Sequence, residues 1–452
     1  MFCNISNQRK TINITDNRTF DLGRWDNTCS EFSISTIASN EADGSKIIEA
    51  GQNSVIKDEI AYCAKKGFTY TIHGILMDKS TGEPLLINGQ TVENTIPVTP
   101  DSDCGTAVMT FEFDSSSIAG KSVVVFEKLY YDNEVKHSHE NINDDDQTID
   151  IVSLGTIAVD NSDEDKIIIP GEETKIKDTV SYCAPAGQPY TITGILMDKT
   201  TGEPILLNEK PVTQSITFTP TASCGTVEMV FPAIDTTAIA GHPIVAFESL
   251  YKAAPDESTE PTELIISHKD LEDADQTVYV ISISTTIEPT DDGTKIYPRG
   301  NETTVTDIVH YCLQPGLEYT VKGIVMDKNT GNGLLINNQP VEQTVTFTPT
   351  EVCGEFPMYY TFNTSDLGGA QLVIFDSLYY NDELLIENKD INNEHESFEI
   401  DINVPDTGRF TDNGSIISSI PARVFILLSF IATPIIVYSY KRYRSRKSFL
   451  NK

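Results

Sequence analysis

Basic residues are scarce in this chain: 32 Lys and Arg stand against 67 Asp and Glu, a formal net charge of −35. A surface of that sign cannot neutralise phosphates, which excludes a nucleic-acid partner, and it suits a solvated extracellular surface. No two cysteines have the close Cys-x-x-Cys spacing of zinc or redox sites, so neither chemistry is expected, and no cofactor or metal is invoked. Residues 1–30 hold Arg9 and Lys10 but no apolar run of signal-peptide length. They read as a polar arm or the remnant of an upstream domain. Helical periodicity is lacking too, while 18 Tyr, 19 Phe and many Val, Ile and Thr residues favour β-structure over disorder.

What is present is repetition. Thr36, Thr156 and Thr285 correspond in ISTIAS, LGTIAV and ISTTIE, and 22 residues after each comes an Asp: Asp58, Asp178 and Asp307. Two apolar runs around a Thr-Gly turn then read as a β-hairpin. Six of eight cysteines fall into pairs 41 residues apart: Cys63 with Cys104, Cys183 with Cys224, Cys312 with Cys353. Equal separations at equivalent positions point to intradomain disulfides and an oxidising compartment, with reduced core cysteines as the alternative. Copies one and two are offset by 120 residues, copies two and three by 129. The difference comes from a Pro, Glu and Thr-rich insertion between Lys252 and Leu264, which reads as a surface loop. The fold class expected is all-β: three tandem, broadly immunoglobulin-like (CnaB-like) β-sandwiches at 31–152, 153–281 and 282–403.

A polar constellation recurs with the repeats: Thr36, Asp58, Glu127, His139 and Gln147, then Thr156, Asp178, Glu248, His268 and Gln276. A hydroxyl nucleophile, a base, two carboxyls and a carboxamide are what acyl transfer onto a hydroxyl requires. Two adjacent carboxyls cannot both ionise cheaply, so one should keep its proton and polarise the Gln carbonyl. A neutral His could take the Thr proton and pass one to the departing amine. The product would be a Thr–Gln ester and ammonia. These residues resemble, position for position, the ester-bond domains found as VaFE-type repeats in bacterial adhesins. The resemblance implies cross-links between Thr36 and Gln147 and between Thr156 and Gln276, assisted by the Asp, Glu and His residues of each set. Repeat three keeps Thr285 and Asp307 but has Asp376 for Glu, Asn388 for His and Glu396 for Gln. No bond is expected there, and His395 would point to the opposite face of a strand.

The C-terminus changes character. Val404, Pro405, Asp406, Thr407 and Gly408 are followed by a polar spacer, an apolar run at 424–440, and Lys441, Arg442, Arg444, Arg446 and Lys447. The run is near the short limit for a transmembrane helix, with the basic tail on the cytoplasmic side. The set, spanning 404–452, resembles the cell-wall sorting signal of Gram-positive-type surface proteins. It implies cleavage after Thr407 by a sortase and transfer to peptidoglycan or a pilus subunit, with the membrane as an earlier partner. Val404 departs from the usual Leu. The sequence therefore reads as an extracellular, cell-wall-anchored stalk that performs single-turnover chemistry on itself and is not a turnover enzyme. The alternative is an adhesin for a host or cell-surface ligand, or a sortase-polymerised pilus subunit. Replacing Thr407 with Ala is expected to remove the protein from the covalent wall fraction; wild-type recovery of T407A in that fraction would rule out transfer at this residue.

Overall fold

Alternation builds the strands. In Ser54–Cys63 the core-facing places go to Ile56, Asp58 and Ile60, while Lys57 and Glu59 lie on the other face and pair at 2.8 Å. This is the period of two that sends successive side chains to opposite sides of a sheet. In the computed structural model, the described residues are 11–13, 19–21, 32–253 and 263–403. They belong to one compact unit through Ile402; a second unit, 403–452, contributes only Asn403. The sorting-signal residues Val404 to Gly408, the run 424–440, Cys3 and Cys29 lie outside the described residues, as does the centre of the insertion, 254–262.

Each repeat is a two-sheet β-sandwich. In repeat one, Ser33–Asn40 pairs with Ser54–Cys63, which pairs in turn with Cys104–Phe113. The opposing sheet runs Glu93–Val98, Tyr70–Asp78, Ser122–Tyr131 and the start of Thr148–Asp160, with Glu134–His139 beside Ser122–Tyr131. Repeats two and three copy this plan. Ile56, Ile60, Ile72, Leu76, Phe111 and Leu129 fill the first core, each contributing on the order of 1.5–3 kcal/mol by leaving water. Helical content among the described residues is limited to 3-10 turns, such as Asp145–Gln147, and no helix there is long and apolar enough to cross a membrane.

Two features position the functional residues. The type I′-compatible pair Asp132 and Asn133, at φ 55° and 62°, closes the hairpin of Ser122–Tyr131 with Glu134–His139. That turn, with a bulge at Leu129/Tyr130, sets Glu127 opposite His139. Repeat two replaces the turn by the insertion and still pairs Glu248 with His268. The second feature is Thr148–Asp160, a single 13-residue strand that begins in repeat one and ends as the first strand of repeat two. The boundary read at residue 152 falls inside it, with no linker between the sandwiches.

Cys63 and Cys104 face each other across one ladder, as do Cys183 with Cys224 and Cys312 with Cys353, and all three pairs are disulfides. Replacing both Cys183 and Cys224 with Ala should destabilise repeat two by about 2–4 kcal/mol. The loss would be read as reduced amide protection of its strands in hydrogen exchange of the full chain, and unchanged protection would mean the bridge contributes nothing.

Candidate functional site

Polar residues occupy core-facing slots where alternation calls for aliphatic ones. Thr36 sits between buried Ile34 and Ala38, Asp58 between Ile56 and Ile60, and Glu127 between Val125 and Leu129. Gln147, closing its 3-10 turn, is fully buried with them. Glycine at the cross-strand neighbour of Glu127 keeps the space open: a Cβ on Gly74 would lie 2.5 Å from Met109 Sδ. Thr156, Asp178, Glu248 and Gln276 repeat the arrangement in the second sandwich, and all are buried.

The amide and hydroxyl meet in both. Gln147 Nε2 donates to Thr36 Oγ1 and, at 2.7 Å, to Glu127 Oε2. In repeat two Gln276 Nε2 lies 3.4 Å from Thr156 Oγ1 and 2.5 Å from Glu248 Oε2. Burial pushes Asp58 up to about 7, opposed by Glu127, Thr36 and Lys46. Burial and then the charge of Asp58 hold Glu127 well above the ordinary glutamate range. In repeat two, burial and Asp178 push Glu248 up to about 10, while Asp178 is raised by burial. Both acids of each pair are raised, and the glutamate, its charged form disfavoured further by the charge of its aspartate neighbour, is the one favoured to hold a shared proton. A neutral Glu is a donor, and a half-turn of the carboxamide sets Gln Oε1, which has no partner among the described residues, against it.

The imidazoles are oriented by residues the sequence did not flag. His139 Nε2 lies 2.9 Å from Asp144 Oδ2, and His268 Nε2 lies 2.9 Å from Asp273 Oδ2. The other ring nitrogen of each is buried and without a partner among the described residues. A carboxylate at Nε2 fixes the tautomer with its proton there and leaves the Nδ1 lone pair as a base. Asp145 and Asp146 are exposed, but Asp144 beside them also caps its turn by accepting from Asp146 N–H at 2.9 Å. Lys46 and Lys166 were missed as well. Lys166 Nζ donates to Ala158 O at 2.9 Å and to Asp275 O at 2.6 Å, clamping the Thr156 strand to the residue before Gln276. Lys46 does the same with Ala38 O and Asp146 O.

Three successive stretches, 32–151, 152–280 and 281–399, match the T-Q ester bond containing domain. The chain belongs to that family. No curated protein matches it. Among solved structures it is similar to a bacterial adhesin from Mobiluncus mulieris containing intramolecular disulfide, isopeptide and ester bond cross-links, at 15% identity over 50% of this chain and 80% of that one, with a TM-score of 0.26. The C-terminal domain of the Streptococcus pyogenes antigen I/II-family protein AspA is similar at 8% identity over 55% and 99%, with a TM-score of 0.28.

The third T-Q domain assembles the same positions with other chemistry. Thr285 Oγ1 lies 2.6 Å from Glu396 Oε1 and 2.9 Å from Asp376 Oδ2, within hydrogen-bonding reach of both, and Asn388, the cross-strand partner of Asp376, donates to Glu396 Oε1. His395 is exposed and sits just before Ser397–Ile400, outside this cluster.

A shape-conserving Thr156→Val change removes the nucleophile and leaves the buried pair intact. Because Glu248 is raised from its ordinary 4.5 to about 10, the folded state binds the extra proton. That contribution is complete below the ordinary value and is lost as pH rises through the folded one. The second domain of T156V should therefore melt at lower temperature at about pH 9 than at about pH 6; equal melting temperatures would contradict a proton held on the pair.

Proposed function

We propose that this chain is a cell-wall-anchored surface stalk of three immunoglobulin-like sandwiches, the first two of which tie their first strand to their last by a Thr–Gln ester. The reading rests on one observation above the rest. In two separate cores a buried Thr hydroxyl lies within hydrogen-bonding reach of a buried Gln carboxamide, beside a glutamate that burial and a neighbouring aspartate push above its ordinary range.

The chemistry that this reading implies is a single acyl transfer. Thr36 Oγ attacks the Gln147 carbonyl carbon while its proton goes to His139 Nδ1, whose other nitrogen is held by Asp144. Protonated Glu127 stabilises the developing oxyanion through a charge-assisted hydrogen bond. Collapse breaks the C–N bond, and the imidazolium proton leaves with the nitrogen as ammonia. The site acts once, because nucleophile and electrophile belong to the same chain.

A stalk gains from this in two ways. The 41-residue disulfide loop contributes roughly 4 kcal/mol by the chain-entropy argument. The ester would close a longer loop, with Thr36 and Gln147 separated by 111 positions, and would carry load where single hydrogen bonds, at ~1 kcal/mol net, yield one by one. Sortase attachment through Thr407 to peptidoglycan or a pilus subunit would then fix one end of the stalk.

Peptide mapping of the denatured chain should yield Thr36 joined to Gln147 and Thr156 joined to Gln276, each pair lighter by about 17 Da, one ammonia. Separate, full-mass Thr156 and Gln276 peptides would sink the ester reading. Asp273→Asn should slow closure of the second bond at least about 100-fold, the scale of general base catalysis, while leaving the Cys183–Cys224 bridge formed; wild-type closure in D273N would remove Asp273 from the mechanism.

A further inference from the structure

The third domain is rebuilt rather than merely degraded. Asp376 is one methylene shorter than Glu127 and Glu248, and at the same level of the core Tyr360 stands where the other domains have Phe111 and Phe231. The two changes meet at one point: a Cβ on Gly323 would lie 1.8 Å from the Tyr360 hydroxyl and 2.6 Å from Asp376 Oδ1. The added hydroxyl thus fills space that the shortened acid vacates. The imidazole and the amide have changed together as well, to Asn388 and Glu396, and these two are in direct contact.

We propose that the third domain forms its own ester, between Thr285 Oγ and the side-chain carboxyl of Glu396, by loss of water. Thr285 Oγ1 already lies 2.6 Å from Glu396 Oε1, and both side chains are buried. The electrophile is a carboxylic acid: burial pushes Glu396 up to about 7, so it carries a proton in mildly acidic solution. The departing oxygen needs a proton just as the departing nitrogen does in the other domains, and Asp376, 2.9 Å from Thr285 Oγ1, stands in for the missing His in moving it. Asn388 supplies an N–H to Oε1, the oxygen that becomes the oxyanion. Oε2 is buried and has no partner among the described residues, and is the oxygen free to depart.

The step balances without a co-reactant. Asp376, held well above the ordinary aspartate range by burial and then by Asp307, acts as a relay: as Thr285 Oγ attacks Glu396 Cδ, Asp376 Oδ2, 2.9 Å away, takes the hydroxyl proton, and the proton the carboxyl already carries passes to Oε2. The Cδ–Oε2 bond breaks, and Oε2 leaves as water. Condensation of an alcohol with an acid is nearly balanced in free energy in solution. Holding the groups together removes the translational and rotational cost of bringing them into contact, an effect that in well-oriented intramolecular reactions reaches effective molarities on the order of 10⁵ M in rate. The inference does not depend on the Thr–Gln reading, since nucleophile, acid and leaving group all belong to the third domain.

The full chain, folded at about pH 6, denatured in acid and digested, tests this by tandem mass spectrometry. The expected product is the Thr285 peptide joined to the Glu396 peptide, lighter than their sum by about 18 Da, in most molecules. Hydroxylamine should convert Glu396 in that material to a hydroxamate about 15 Da heavier than the free acid, and Thr285→Val should abolish both signals. Separate full-mass peptides, with Glu396 inert to hydroxylamine in molecules whose Cys312–Cys353 bridge is formed, would overturn the proposal. The same digest reads the first two domains through their ammonia loss, so failure of either reading is visible independently.

Discussion

Two carboxyls facing each other in a dry core are the constraint on which the rest depends. Water would separate and ionise Asp58 and Glu127; the sandwich removes it by setting each acid in an aliphatic slot between Ile and Val or Leu neighbours. Desolvation then does what no surface pair could, because it makes a proton cheaper to keep than a second charge. A buried acid pair is ordinarily a liability to stability. Here Lys46 and Lys166 lie close enough to favour the charge on the Asp partner, so the burden is shared unequally and the Glu is left neutral.

The three domains form a comparison within one chain. The backbone plan, the disulfide, the Thr and the first Asp are constant, while the electrophile, its acid and the base vary as a group. In the third domain three carboxyls, Asp307, Asp376 and Glu396, share the core. That arrangement is tolerable only with protons retained, and the directions of all three shifts agree.

Much of this was legible in the sequence because repetition supplies its own controls. A lone Thr in a strand says little, but Thr36 and Thr156 arrive with the same partners in the same order. Asp58 was also conspicuous locally, an acid occupying a core-facing place in an alternating strand. Asp144 was hidden because a run of three acids looks like solvated loop, and only the turn that withdraws one of them toward His139 separates it from Asp145. Lys166 was invisible for another reason: it binds backbone carbonyls of Ala158 and Asp275, which carry no side-chain signature. The unbroken Thr148–Asp160 strand was missed because a change of repeat suggests a joint, whereas alternation continues across it.

That strand governs how the chain would answer a pull. Gln147 and Thr156 are nine residues apart, as are Gln276 and Thr285. With the proposed bonds in place, tension entering at Thr36 crosses directly to Gln147, runs along a short piece of chain, crosses at Thr156 to Gln276, and so on. Of the 111 positions separating Thr36 and Gln147, the Cys63–Cys104 bridge already locks 41; the remainder could otherwise pay out roughly 200 Å at about 3.3–3.6 Å per residue. The connecting piece from Thr148 to Gly155 is strand and already near full extension. So bonded, the chain would behave under load as a cord of nearly fixed length, passing each tug on instead of absorbing it by unfolding.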